Sequence, residues 1–210
     1  MVTLRTVGIA VIAAVLGFFA LYRPWQLKWG STGEEVGGSM PGDEVVPNPT
    51  FNATRAVTIS APPEKIWPWI VQIGFGRAGW YSYDLLDNFG RHSAERIVPE
   101  LQHIDVGDLI PMAPGENAGM RVKDFVPNQS ILWWDEETQL TTWAWALNEM
   151  PDGKTRLVTR VRSRSSLGHP ATVIWLLLVE LADFPMMRKC LLGIKRRAEA
   201  STPGNVSSTT

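Results

Sequence analysis

Between the first amphipathic segment and the first run of strands, one short block gathers most of the side chains able to do acid–base or ion-pair chemistry: Tyr81, Tyr83, Asp84, His92, Glu95, Arg96 and Glu100. His92 has the titration range of a general acid or base, and Tyr83 and Asp84 are candidates for the same work. No catalytic residue is assigned among the three. A lone histidine without a visible partner equally bonds a loop carbonyl, and Asp84 at the start of a short helix equally serves that helix's N-terminus. Arg121 and Arg160, on later strands, have the planar donor fork that holds a carboxylate or phosphate head group. Whether either turns inward depends on strand register.

Other chemistries are missing from the pattern. Gly74-Phe75-Gly76-Arg77-Ala78-Gly79 matches GxGxxG but follows a helix instead of a strand, so it does not read as a nucleotide loop. No G-x-S-x-G elbow is present. His92, His103 and His169 have no i, i+4 pairing and Cys190 stands alone, so no metal and no cofactor is expected. With 20 Lys and Arg against 21 Asp and Glu, a nucleic-acid partner is not expected either.

The elements that must carry these residues are legible from periodicity. Ala56–Ser60 alternates as a first strand. Pro62 and Pro63 open a helix whose apolar positions are Ile66, Trp67, Trp69, Ile70 and Ile73. A second short helix covers Tyr83–Phe89. Strands follow at Val106–Met112, Met120–Val126, Ser130–Asp135, Thr141–Asn148 and Arg156–Ser163, the last two joined by a Pro151-Asp152-Gly153 turn. Ala171 to Arg197 reads as one long amphipathic core helix that Pro185 should kink or interrupt. A second membrane span there is not expected, because Glu180, Asp183 and Pro185 cut the apolar run short. Successive hairpins make a curved antiparallel sheet that needs a cover, and this last helix is long enough to supply it. The fold class is therefore α+β, a helix-grip.

The segments "RAVTISAPPEKIWPWIVQIG" and "GWYSYDLLDNFGRHSAERIVPELQ", with the closing "LLGIKRRAE", resemble the START-like, polyketide-cyclase (SRPBCC) superfamily, in a membrane-anchored bacterial branch. The likeness covers about residues 45–199 and specifies no reaction. It implies a deep cavity between sheet and C-terminal helix for apolar ligands; some relatives are cyclases and others carry lipids.

The ten tryptophans against three tyrosines fit that implication. Trp143, Trp145 and Leu147 share one strand face, while Trp133 and Trp134 point to opposite faces. Trp69, Tyr81, Tyr83, Arg121, Trp133, Trp143, Trp145 and Arg160 are the candidate ligand-binding residues, with core packing the competing role for each tryptophan.

Ahead of the domain, Thr6–Tyr22 carries no charge and is bracketed by Arg5 and Arg23. Seventeen residues rise roughly 25 Å, near the lower limit for crossing a bilayer, and Trp25 and Trp29 suit the interface. Without a small-x-small site before Arg23, the stretch reads as an uncleaved single-pass anchor, its side of the membrane undetermined. Residues 1–29 are then the anchor, 30–50 a Gly/Pro/acidic tether, 51–199 the helix-grip domain and 200–210 a disordered tail.

Charge is uneven. Residues 1–150 hold ten basic and seventeen acidic side chains; residues 151–200 hold ten and four. Three functions follow as expectations: a non-catalytic domain binding an apolar small molecule or lipid, a cyclase/dehydrase-like enzyme on an apolar substrate, or a module docking its basic C-terminal third on anionic membrane or a partner.

Overall fold

The computed structural model describes residues 4–200; the expected tail, residues 200–210, lies outside the described residues except for Ala200, which ends the closing helix, and the side chain of Trp175 lies outside them too. An N-terminal helix α1 (Leu4–Gly17) continues through a π-helical turn (Phe18–Tyr22) into α2 (Arg23–Leu27). After α3 (Gly33–Gly37) come β1 (Phe51–Ile59), α4 (Pro63–Val71), α5 (Asp84–Asp87) and a 3-10 turn (Pro99–Leu101). The strands β2 (Leu109–Pro111), β3 (Gly119–Val126), β4 (Ser130–Trp134), β5 (Thr141–Glu149) and β6 (Thr155–Ser163) follow, and α6 (Pro170–Ala200) closes the chain. The six strands form one antiparallel sheet in the order β1-β6-β5-β4-β3-β2. Hairpin succession places β1, the first strand, beside β6, the last, and α4 and α6 cover the resulting concave face.

That face is where the aromatic alternation points. Trp143, Trp145 and Leu147 of β5, Ile131 and Trp133 of β4, Leu157 of β6 and Ile59 of β1 meet Ile66, Trp69 and Ile70 of α4 and Leu191, Ile194 and Ala198 of α6. Trp133 and Trp145 are fully buried. The aromatic faces stack in a chain, Trp80 on Trp143 at 5.7 Å and 4° and Trp143 on Trp145 at 5.2 Å, with Trp133 edge-on to Trp143.

At Gly193 the helix α6 comes tightly against the loop after α4. A Cβ there would lie 2.3 Å from the Tyr81 carbonyl oxygen, in a loop whose Tyr81 has φ +55°. Gly193→Ala is expected to push helix and loop apart and to cost about 1–3 kcal/mol, the usual penalty of overpacking a close contact. Urea unfolding of the detergent-solubilised chain measures it, and an unchanged midpoint would show that the loop yields freely.

The closing helix differs from expectation on two counts. Pro185 does not interrupt α6, which runs unbroken over 31 residues; Pro185 lies on the exposed side of the helix, where water can take the carbonyl that the missing N–H leaves free. The amphipathic core-helix reading holds only from Phe184 onward, for Val173, Ile174, Leu178, Val179 and Leu181 are exposed. By length and composition two helices could cross a membrane, Val7–Leu27 and Pro170–Ala200.

Residues 30–49, read as a tether, pack on the convex face of the sheet. Thr32 and Glu35 form a capping box that starts α3, and Met40 is buried with Ala56, Leu132, Ala144 and Val158. The arginines of β6, with Arg164 just beyond its end, hold the segment down. Arg156 binds Glu35, Arg160 and Arg162 share Asp43, and Arg164 donates to the Asn48 carbonyl. Arg160, expected as a ligand anchor, thus belongs to the face opposite α6.

Candidate functional site

A cleft of about 440 Å³ opens between the concave face and α6. Its walls are Trp80 and Trp143 on one side, Met186, Met187 and Cys190 of α6 on the other, and Leu86, Phe89 and Met112 at the mouth; Ser82, Asp87 and Asp183 are its polar groups. Apolar walls with a few convergent polar atoms are the usual make-up of a small-molecule site, and methionine pairs adapt their shape to an occupant. The deeper space between sheet and helix is filled by side chains, so the cleft lies at one end of the helix-grip.

The carboxylates of α5 diverge. Asp84 accepts from Ser93 Oγ, and His92 Nδ1 stands 3.5 Å from it. Burial works to raise its pKa, but the Ser93 and His92 hydrogen bonds outweigh that and hold it below the ordinary carboxylate value. Asp87, one turn on, lines the cleft. It accepts the Tyr83 backbone N–H at 3.1 Å, while its Oδ1 is buried without a hydrogen-bond partner. Burial, aided by the charge of Asp84, pushes its pKa up despite the bonds from Ser82 and Tyr83.

A raised carboxyl binds its proton more tightly folded than unfolded, so it weakens the fold as pH rises. The cost is absent below the unfolded value near 4 and complete above the folded one. Asp87→Asn keeps an acceptor for Tyr83 and removes the charge. We expect it to melt above wild type at pH 7, with the gap closing below pH ~4. A constant gap at every pH in a thermal scan would locate the effect elsewhere.

The candidate residues are distributed as follows. Trp143 lines the cleft, its indole N–H donating to Thr159 Oγ1 at 2.7 Å. Trp69, Trp133 and Trp145 are buried behind it, and all three indole nitrogens lack a hydrogen-bond partner. Tyr81 is buried against α4, its hydroxyl donating to the Trp69 carbonyl and accepting from Gln72; burial pushes that phenol far above its ordinary value. Tyr83 is exposed, its ring under Lys189 at 3.9 Å. His92 is 97% exposed. Arg121 lies on β3 between Leu109 of β2 and Trp134 of β4, partly exposed and engaged by Glu136 and the Gly107 carbonyl, and Arg160 is on the far face. The structure therefore unites Trp143 with neighbours outside the candidate set: Trp80, Ser82, Asp87, Met186 and Met187. The nearest sequence signal was Asp87 three residues after Asp84, its neighbour across one helical turn.

Ser93, Asp84 and His92 do not make a nucleophilic triad. The serine hydroxyl is spent on the carboxylate and the histidine stands in solvent. Among the described residues no cluster of His, Cys, Asp and Glu could hold a metal.

The basic third is largely engaged. Beside the β6 pairs, Arg196 and Arg197 bind Glu95, and Lys195 binds Glu199. Trp29 packs against Phe184 and lies under the Arg188 guanidinium, while Trp25 keeps an exposed face.

No family model and no curated protein matches the chain. Solved structures do. The chain is similar to a polyketide-cyclase-like protein from Corynebacterium glutamicum, at 15% identity over 71% of this chain and 91% of that one, with a TM-score of 0.45. A conserved protein of unknown function from Enterococcus faecalis matches at 14% identity over 78% and 84%, TM-score 0.43. The Aha1 dimer from Colwellia psychrerythraea matches at 18% over 71% and 97%, TM-score 0.40.

Proposed function

We propose that the chain is a membrane-anchored SRPBCC-like domain that binds an apolar small molecule or lipid, without catalysis, in the cleft beside α6. The observation that carries this reading is the cleft itself: about 440 Å³ walled by two tryptophans, three methionines and a phenylalanine, with few polar groups. That volume matches a single ligand of modest size. The apolar helix Val7–Leu27, which carries no charge before Arg23, supports the anchor. Native mass spectrometry of the detergent-purified chain tests it: a reproducible added mass that solvent extraction releases is the expected result. A chain that carries none, and takes up none on incubation with a total lipid extract, overturns it.

A second reading has its own observation. Asp87 is held protonated to higher pH while Asp84 is held ionised, and such divergence suits acid–base work. In this reading the domain is cyclase- or dehydrase-like and Asp87, not His92, is the acid. The molecule recovered from wild type would then differ chemically from that recovered from Asp87→Asn; identical molecules exclude it.

A further inference from the structure

By burial α6 is two helices in one. From Phe184 onward it closes the core, while in the part before it Ile174 and Leu178 are 59% and 54% exposed and Val179 and Leu181 stand out as well. Between Ala171 and Val179 the sequence carries no charge and one hydroxyl, that of Thr172. This stretch runs beside the N-terminal helix in the same direction. Phe19 shares a cleft with Val173, Leu176 and Leu177. Arg23 meets Glu180 at 2.9 Å, and the Tyr22 and Trp25 rings pack on Phe184.

The charges of both helices begin at one level. Glu180 takes Arg23 and the Gln26 amide; Asp183 takes Arg55, whose guanidinium also holds the Gln26 carbonyl and side chain. On the far side of that polar layer both helices are apolar. We propose that the first three turns of α6, with exposed Leu167 of the preceding loop, are embedded beside α1 in one leaflet of the bilayer. The domain then stands on a two-helix foot. This rests on the reading that α1 lies in the membrane.

Length sets the depth. The ten residues Pro170–Val179 rise roughly 15 Å, half the ~30 Å hydrocarbon thickness, so α6 enters one leaflet and does not cross. The occupant of its exposed face is lipid, because the face is continuous with the anchor and ends at the same neutralised layer. Between the two helices and the adjoining ends of β1 and β6 a cleft of about 380 Å³, apolar around Phe19, Phe51, Val161, Val173 and Leu177 and polar at Arg23, Ser163 and Glu180, has the form of an acyl-chain slot. The polar cost at the tip is limited, since His169 Nδ1 accepts the Ala171 N–H and caps the helix.

The test uses the full chain in phosphatidylcholine vesicles. In a Cys190→Ala background, since Cys190 borders the cleft, an environment-sensitive fluorophore is attached to Ile174→Cys, Leu178→Cys, Ile12→Cys in α1, or Asp152→Cys in the exposed β5–β6 turn. Labels at 174 and 178 should emit blue-shifted relative to 152 and lose intensity to chain-brominated lipid as the label at 12 does. Labels at 174 and 178 that behave like 152, with 12 still quenched, overturn the foot and leave the anchor intact. If 12 is unquenched as well, both readings fall. A blue shift at 178 without quenching, together with crosslinked Leu178→Cys dimers, assigns the face to a second copy and overturns the lipid.

Discussion

Arg160→Met is expected to cost about 3–5 kcal/mol, the penalty for removing one partner of a buried ion pair. An arginine has five N–H donors, and Arg160, only 3% exposed, spends all of them: on Thr54, Gly38, Asp43, Glu35 and Val36. Methionine fills the space of the stem and supplies no donor. Asp43 would keep only Arg162 and the Met40 N–H, and three backbone carbonyls would lose their partner. Urea unfolding in detergent reads the loss. Limited proteolysis should first cut within residues 30–49, at denaturant concentrations where wild type is uncut. Coupling to Asp43→Asn in a double-mutant cycle should exceed 1 kcal/mol, the ceiling for an exposed pair. A loss within that ceiling, with no new cleavage, would show that the segment holds to the sheet by the apolar packing of Met40 alone.

The same contacts explain what composition concealed. Glycine, proline and acids made residues 30–49 read as a tether, and the arginines of β6 read as a basic patch. Each is the other's partner. The signal was a period of two: Arg156, Arg160 and Arg162 share one face of a strand whose other face carries Leu157 and Val161, so the arginines had to lie together on the convex side. Their counter-charges, Glu35 and Asp43, are over a hundred residues away in the chain, and no local pattern connects them.

Strands were legible because alternation is a strong local signal. β5 and β6 span 141–149 and 155–163 against expected spans of 141–148 and 156–163. The inward face of Trp143 and Trp145 followed from the same rule. The long helix was legible as an element, but its division into core and exposed halves was not, since both halves are apolar and only the end of the sheet decides where cover stops. Asp87 was missed for a related reason. Its carboxyl differs from that of Asp84 in the partners the fold supplies, Ser93 for Asp84 and the cleft wall for Asp87, and those come from elements that local sequence does not connect.

Trp143→Ala carries the largest functional consequence. The ring is the wall of the cleft, stacked between Trp80 and Trp145 and fixed by its bond to Thr159. A tryptophan clamped on both sides presents a rigid apolar plane and loses little freedom when a ligand arrives, which is the character of a binding hot spot. Truncation is expected to weaken retention of the bound molecule by about 2 kcal/mol, roughly thirtyfold in affinity. It also removes packing, so loss of ligand alone would not separate wall from scaffold. Trp145→Phe separates them: Trp145 is fully buried and is no part of the cleft lining, so this change should lower the unfolding midpoint while native mass spectra still show the added mass. Trp143→Phe, which keeps an aromatic plane and loses the Thr159 bond, should fall between. Equal ligand loss in Trp143→Ala and Trp145→Phe, in proportion to their stability losses, would mean that the molecule is held by the fold as a whole and that the cleft is not its site.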